Sequence, residues 1–395
     1  YNRGERKNMK TRTWAEIDLD ALTHNIHEIR RITKPTAKIM AVVKADAYGH
    51  GVREVAKTLI DEGADYLAIA CVDEGKQLRN DGITVPILIL GAVMPEDAED
   101  LIDYQLMPAV FDYDLAKAVS DAALTRNTRA KIHIKLDTGM SRIGYVTGVD
   151  DDAVCREIAE IAALPGIEIE GIFSHFSTSD ERDQSYTKLQ FDRFMTVCGM
   201  LEERGIKIPI RHIANSAAIM MYPETHLEMV RAGVILYGLY PSEEVDKTKL
   251  SLKPVMSVKA RVTMVKELEE NRGVSYGKAY ITNHRTRIAT VPIGYADGYT
   301  RLLSGKAQMI AKNEKVPVIG RICMDQCMID VTNVHTINAG DEVVVFGADT
   351  VTADDLAEWI GTINYEMICV IAKRIPRIYL KNGEVETVIN YLENL

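Results

Sequence analysis

Between Lys38 and Leu239 the chain repeats one pattern eight times: a short run rich in Ile, Val, Leu and Ala, polar or glycine punctuation, then a stretch with apolar residues at helical spacing. The runs are Lys38 to Val43, Tyr66 to Cys71, Pro86 to Leu90, Pro108 to Phe111, Lys131 to Leu136, Ile167 to Phe173, Ile210 to Ala214 and Met229 to Leu236. Helix-period stretches between them include Val52 to Glu62, Glu96 to Tyr104, Asp151 to Ala163 and Tyr186 to Arg204. A near-continuous apolar strand is buried on both faces, as in a parallel sheet covered by helices, and eight such strands are what a closed (β/α)8 barrel requires. The same elements could instead build an open doubly wound sheet for a dinucleotide. That fold would carry G-x-G-x-x-G after its first run, and none follows here.

Beyond about Ser242 the texture changes to alternating segments separated by Gly, Asn and Asp turns: Val258 to Val265, Thr286 to Val291, Lys315 to Ile319, Met328 to Val331 and Glu342 to Gly347. The chain is thus expected to be α/β, with a barrel over residues 13–242 and a C-terminal, mostly β-strand domain over 243–395, Glu243 to Lys249 serving as linker. One helix-like segment, Ala353 to Gly361, interrupts the β domain. Thr13 to Leu19 also alternates and is a candidate strand of that domain, and a helix is expected from Asp20 to about Arg31. The polar residues 1–12, which open on Tyr1 ahead of a methionine at Met9, read as a tag or an upstream linker.

Composition excludes several classes of function. Lysine plus arginine (47) against aspartate plus glutamate (57) gives a net charge of −10 with no basic stripe, so nucleic acid is not an expected partner. The six cysteines are scattered, mostly in apolar runs, as reduced thiols of a cytoplasmic protein would be; Cys323 and Cys327 lack the second pair that a zinc site needs, and no metal is expected. Runs such as Pro86 to Val93 are strand-length, too short to span a membrane.

In such a barrel the active site gathers at the C-terminal ends of the strands. The first run ends in Val43-Lys44-Ala45-Asp46-Ala47-Tyr48-Gly49-His50, which sets a lysine amine at the barrel mouth. Position alone favours a lysine that snorkels to solvent; a desolvated amine there could instead condense with an aldehyde cofactor. The wider segment AVVKADAYGHG decides between them, because it resembles the cofactor-lysine motif of alanine racemases. The likeness continues in family order through KLDTGMSRIG (Lys135 to Gly144), FSHFSTSDE (Phe173 to Glu181), HIANSAA (His212 to Ala218), VRAGVILYG (Val230 to Gly238), VSYG (Val274 to Gly277), GYADGY (Gly294 to Tyr299), RICMDQ (Arg321 to Gln326) and INYE (Ile363 to Glu366).

The resemblance implies a homodimeric isomerase in which Lys44 holds pyridoxal 5′-phosphate as an aldimine. Asn215-Ser216 follows run seven and Gly233-Val234 lies late in run eight, the region where barrels of this type bind phosphate. By resemblance Ser216 and the amides of Gly233 and Val234 hold the phosphate, with Tyr48 and Tyr365 assisting; taken alone, Asn215-Ser216 would read as a helix cap. Arg231 matches an arginine that donates to the ring nitrogen, and a guanidinium does not surrender its proton there. The ring is then a weaker electron sink, which suits an enzyme that only removes and returns a proton. Lys44 and Tyr276, the latter from a second subunit, match the family's two bases for the D- and L-isomers, with His175, bonded to Arg231, tuning the tyrosine. Arg142 matches a contact to the cofactor's phenolic oxygen and the substrate carboxylate. Lys135 matches a lysine that is carbamylated in many relatives, and Tyr295, Met324 and Asp325 match substrate-binding residues of the second subunit.

Bulky Tyr48, Tyr295 and Tyr365 favour a methyl side chain, hence alanine, with serine as the second substrate to test. The family's usual role is to supply D-alanine for peptidoglycan. The alternative within the family is the serine/alanine racemase domain of a membrane-tethered vancomycin-resistance protein; such relatives depart from the family around Tyr365, which this chain retains. A basic-amino-acid decarboxylase would carry a Gly-rich phosphate loop and an acidic pocket, neither of which is present. Carrier proteins of the single-barrel kind lack the β domain, and a degenerate scaffold would have lost functional side chains that this chain keeps.

Overall fold

The computed structural model describes residues 11–347 and 351–393. The tag or linker expected over residues 1–12 lies outside them up to residue 10. The chain forms two compact units: one holds Thr23–Ala47 and Val52–Leu252, the other the chain up to Leu22, the short segment Tyr48–Gly51 and the chain from Lys253 onward.

The first unit is the barrel. Its strands are Lys38–Val42, Tyr66–Ile69, Ile87–Ile89, Leu106–Val110, Ala130–Asp137, Ile167–Phe173, Ile210–His212 and Met229–Ala232, each parallel to the next, and the eighth pairs with the first in the register Met229↔Lys38 and Arg231↔Met40. Between the seventh and eighth the ladder thins to separate bonds, Glu228 N–H to Arg211 O (3.3 Å) and Arg231 N–H to Ala214 O (2.9 Å), so the sheet is a nearly closed TIM-type barrel. Burial on both faces explains the unbroken apolar runs: Ile87, Leu88 and Ile89 are all fully buried. The helix Val72–Asn80 sits tight on the fourth strand, since a Cβ on Gly75 would come within 2.5 Å of Leu106 Cδ1.

The eighth run is a strand only to Ala232. Val234–Tyr237 is a 3₁₀ turn closed by Gly238 in the left-handed region (φ 80°), and all four turn residues are buried. Apolar residues buried in a turn look the same in sequence as apolar residues buried in a strand.

The second unit is built on a ten-stranded sheet in the order Met264–Leu268, Thr286–Val291, Cys327–Asp330, Glu314–Ile319, Gln308–Ala311, Glu342–Phe346, Met256–Arg261, Thr13–Asp18, Arg377–Lys381, Glu384–Ile389. Thr13–Asp18 runs antiparallel to Met256–Arg261 and parallel to Arg377–Lys381, so the opening strand lies in this sheet. Val258 to Val265, read from sequence as one segment, is split between two strands that pair with different partners.

The units divide at Lys253, not at residue 243, because residues 243–252 are tied to the barrel unit: Tyr240 Oη donates to Leu250 O (2.7 Å) and Arg31 Nη2 to Lys249 O (2.9 Å). Tyr48–Gly51 departs from the expected 13–242 domain for a similar reason. The buried Arg377 guanidinium donates to Gly49 O through Nε (3.1 Å) and Nη2 (2.8 Å), and Tyr379 Oη donates to His50 O (3.0 Å). Gly49 itself is required there, since it lies at φ 81° and a Cβ would stand 2.3 Å from Ile368 O.

Candidate active site

In the barrel unit, Lys44 follows the first strand after Val43 and opens a left-handed turn. Ala45, Asp46, Ala47 and Tyr48 have φ of 54, 54, 55 and 52°, a conformation that costs an L-residue roughly 1–2 kcal/mol each. Arg231, in the adjoining eighth strand, is buried. Its Nη1 faces His212 Nδ1 (2.9 Å) and His212 O (3.1 Å), and its Nη2 faces Ser174 O (2.7 Å), Ile213 O (3.1 Å) and His175 Nδ1 (3.3 Å). Burial, then repulsion from Arg142, lowers its pKa to about 9, which leaves the guanidinium charged at neutral pH. A guanidinium only donates, so the facing Nδ1 atoms of His175 and His212 must accept, and both rings are neutral. Consistent with that, burial first and Arg231 second hold the pKa of both well below the usual histidine value.

Ser216 opens the helix Ser216–Met221, and Asn215 caps it: Asn215 Oδ1 accepts from Ala218 N–H (3.0 Å) and Ser179 Oγ (2.9 Å). Gly233 N–H donates to Ser216 Oγ (3.0 Å), which joins this helix start to the turn that begins at Val234. Two helical starts side by side, with first-turn amides that have no intrahelical acceptor, suit a phosphate group. Asn215 therefore shapes this cradle as its cap.

Arg142 lies at the end of a loop wound around Asp137, whose Oδ1 accepts from Gly139 N–H (3.0 Å) and Ser141 N–H (2.9 Å). Lys135, on the same strand and nearly buried, donates to Leu136 O (2.7 Å) and sits 5.2 Å from the Phe173 ring. Burial above all, then Arg231 and Arg142 against an opposing pull from Asp137, lowers its pKa from 10.5 to about 7. The folded state thus disfavours the charged amine. Between pH 7 and 10.5 the unfolded chain holds the extra proton, so this residue makes stability rise with pH. In buffer freed of carbon dioxide, the unfolding free energy of wild type should climb relative to Lys135→Met by on the order of a few kcal/mol from pH 7 to 10, read by denaturant titration; parallel pH curves would refute it.

In the second unit, Tyr48 and Tyr365 stand with ring centroids 6.3 Å apart, and burial pushes the Tyr48 phenol well above its ordinary pKa. Tyr276, Tyr295 and Met324 are exposed at 66, 44 and 53%. Ser275 (φ 65°) turns the chain before Tyr276, and its Oγ donates to Arg321 O (2.6 Å). The segments bearing Tyr295 and Met324 are zipped together by Tyr295 N–H to Cys323 O (3.1 Å) and Ala296 N–H to Met324 O (3.0 Å). Arg374 then bridges the Asp297 and Asp325 carboxylates at 2.7 and 2.6 Å. Lys44, Lys135, Arg142, His175, Asn215, Ser216, Arg231, Gly233 and Val234 thus gather in the barrel unit, and Tyr48, Tyr276, Tyr295, Met324, Asp325 and Tyr365 in the other.

The family model for the alanine racemase N-terminal domain matches residues 17–241, and that for the C-terminal domain matches residues 255–379. The chain is a member of the alanine racemase family of enzymes. It is 52% identical over 382 residues to alanine racemase 1 of Clostridium acetobutylicum, spanning 96% of this chain and 98% of that one. With the alanine racemase of Desulforamulus reducens it shares 50% over 372 residues, 94% of this chain and all of the relative. Its fold superposes on the solved alanine racemase of Clostridium difficile 630 with a TM-score of 0.94 at 44% identity, covering 97% of this chain and 100% of that one.

Within this family member the site extends past the residues legible from motifs. His212 passes its Nε2–H to His133 Nδ1 (2.9 Å), His133 Nε2–H points at Glu170 Oε2 (3.5 Å), and Glu170 Oε1 accepts from Lys131 Nζ (2.6 Å). Because Arg231 cannot accept, the bonds through the two histidines run from it towards the Glu170 carboxylate, which Lys131 meets from the other side. Neither His133, Glu170 nor Arg374 stands among the candidate residues read from the sequence. The signal for the first was an alternation: Lys131, His133, Lys135 and Asp137 occupy every second position of a strand whose other residues are apolar. Among the described residues no helix is long and apolar enough to cross a membrane.

Proposed function

We propose that the chain interconverts L- and D-alanine with pyridoxal 5′-phosphate as cofactor, acting as a cytoplasmic homodimer with Lys44 and Tyr276 as the two bases, and so supplies D-alanine for peptidoglycan. The observation that supports this reading is the pairing of the first and eighth strands, since the strand that leads into Lys44 lies beside the strand that carries the buried, donor-only Arg231 and leads into Gly233 of the cradle. When bound, the cofactor supplies the electron sink that acidifies the substrate's Cα–H bond.

The residues supply the rest. Ser216 Oγ and the amides of Gly233 and Val234 would hold the phosphate, assisted by Tyr48 and Tyr365, and Arg231 would donate to the ring nitrogen without protonating it. Arg142 would orient the substrate carboxylate, with Tyr295, Met324 and Asp325 of a second subunit lining the entry. Lys44 Nζ takes the proton from one face of Cα, and the Tyr276 phenol oxygen from the other. The exposure of Tyr276, Tyr295 and Met324 supports their use by a partner subunit. The low pKa of Lys135 supports carbamylation: a free amine adds carbon dioxide, a proton leaves, and the resulting anion pairs with Arg142 instead of repelling it.

The test is racemisation of L-alanine and L-serine by the purified chain with and without pyridoxal phosphate. Cofactor-dependent alanine turnover well above that of serine is expected. Comparable serine turnover would favour the serine/alanine reading, and no turnover of either would end the proposal.

A further inference from the structure

The turn after Lys44 persists only because its surroundings hold it, as a run of left-handed alanine and aspartate residues would otherwise relax. Two ties are local: Ala47 N–H donates to Val43 O (2.9 Å), and Val52 N–H to Asp46 Oδ1 (2.8 Å). A third comes from outside the turn. Glu74 Oε1 accepts from Ala45 N–H at 2.6 Å, and its other oxygen, Oε2, accepts from Ala70 N–H at 2.7 Å. One carboxylate thus fastens the peptide that follows Lys44 to the end of the neighbouring barrel strand, through two charge-assisted bonds.

Glu74 is itself firmly seated. It is the third residue of the helix Val72–Asn80, and the next residue, Gly75, lets that helix lie so close that a Cβ would meet Leu106 Cδ1 at 2.5 Å. Gly91 packs closely against Ala70, since a Cβ there would stand 2.2 Å from Ala70 O. The bond to Ala45 N–H sets the plane of the peptide between Lys44 and Ala45. That peptide holds the Lys44 Cα from its C-terminal side as the first barrel strand holds it from the other, and the two together set where the lysine Cβ points.

We propose that Glu74 is a positioning residue for Lys44, its carboxylate locking the left-handed turn so that the amine is held ready for the cofactor's aldehyde. The inference rests on the reading of Lys44 as the cofactor lysine. In the step it serves, the Lys44 amine adds to the aldehyde carbon, a C=N bond forms and the aldehyde oxygen leaves as water.

The experiment uses the full chain stripped of cofactor, as wild type, Glu74→Ala, Glu74→Gln and Lys44→Ala. Two quantities are read: the rate of aldehyde capture from pyridoxal phosphate, with borohydride trapping and peptide mapping, and the affinity for pyridoxine 5′-phosphate, which carries an alcohol in place of the aldehyde. Misplacing a reacting group by about 1 Å costs up to about 10²-fold in rate. Capture should therefore slow by about tenfold or more in Glu74→Ala and by less in Glu74→Gln, which keeps one acceptor oxygen for Ala45 N–H. Pyridoxine phosphate affinity should stay within about twofold, because the phosphate cradle is untouched.

Unchanged capture in Glu74→Ala would overturn the proposal. So would a parallel loss of pyridoxine phosphate binding, since Glu74 would then serve general integrity. Should Glu74→Ala fail to fold, the near-isosteric Glu74→Gln carries the same comparison. If wild type is trapped at a residue other than Lys44, or Lys44→Ala captures as fast as wild type, it is the cofactor-lysine reading that falls, and this one with it.

Discussion

Lys44→Ala is expected to yield a folded chain whose alanine racemisation is slower by on the order of 10⁴-fold or more, because the proposed role asks one side chain to supply both the covalent anchor and a base. Folding should survive: Lys44 is only half-buried, and the turn behind it is held through backbone amides by Val43, Asp46 and Glu74. The check is a coupled assay of kcat/KM in both directions, with denaturant unfolding alongside. Activity within tenfold of wild type would remove Lys44 from the chemistry.

Tyr276→Phe should cost about 10²–10⁴-fold in kcat/KM, the range for loss of a positioned base. Because the two enantiomers have equal free energies, the loss must be the same in both directions. The sharper consequence concerns where this tyrosine acts. With Tyr276 working in its partner's barrel, Lys44→Ala and Tyr276→Phe chains refolded together form mixed dimers in which one of the two sites is intact. Random pairing makes half of the dimers mixed, so about one quarter of wild-type activity should return from two inactive stocks. No recovery, from dimers shown to exchange subunits, would mean that each chain builds its site alone.

Much of the fold was legible from short-range pattern. Eight apolar runs announced eight buried parallel strands, because a strand covered on both faces needs an unbroken apolar stretch, and a period of 3.6 announced the helices between them. The lysine at the end of the first run could be read as a candidate for chemistry only through the eleven-residue segment AVVKADAYGHG around it.

Where the sequence alone misled, long-range hydrogen bonds had the deciding role. Val234–Tyr237 turns at the barrel mouth, where apolar burial is identical for a strand and a 3₁₀ turn. Tyr48–Gly51 joins the β unit because Arg377 and Tyr379, more than 320 residues away, bind its carbonyls. No local preference predicts four left-handed residues without glycine after Lys44; they exist because Glu74 and Asp46 hold them.

The alternation Lys131, His133, Lys135, Asp137 was present in the sequence, yet its meaning awaited Arg231, 98 residues beyond His133. Sequence determined which segments would be buried and which residues could react. The near-closure of the eight-stranded ladder decided which of the barrel's residues meet, and the donor-only guanidinium on its eighth strand decided the direction in which the histidine hydrogen bonds run.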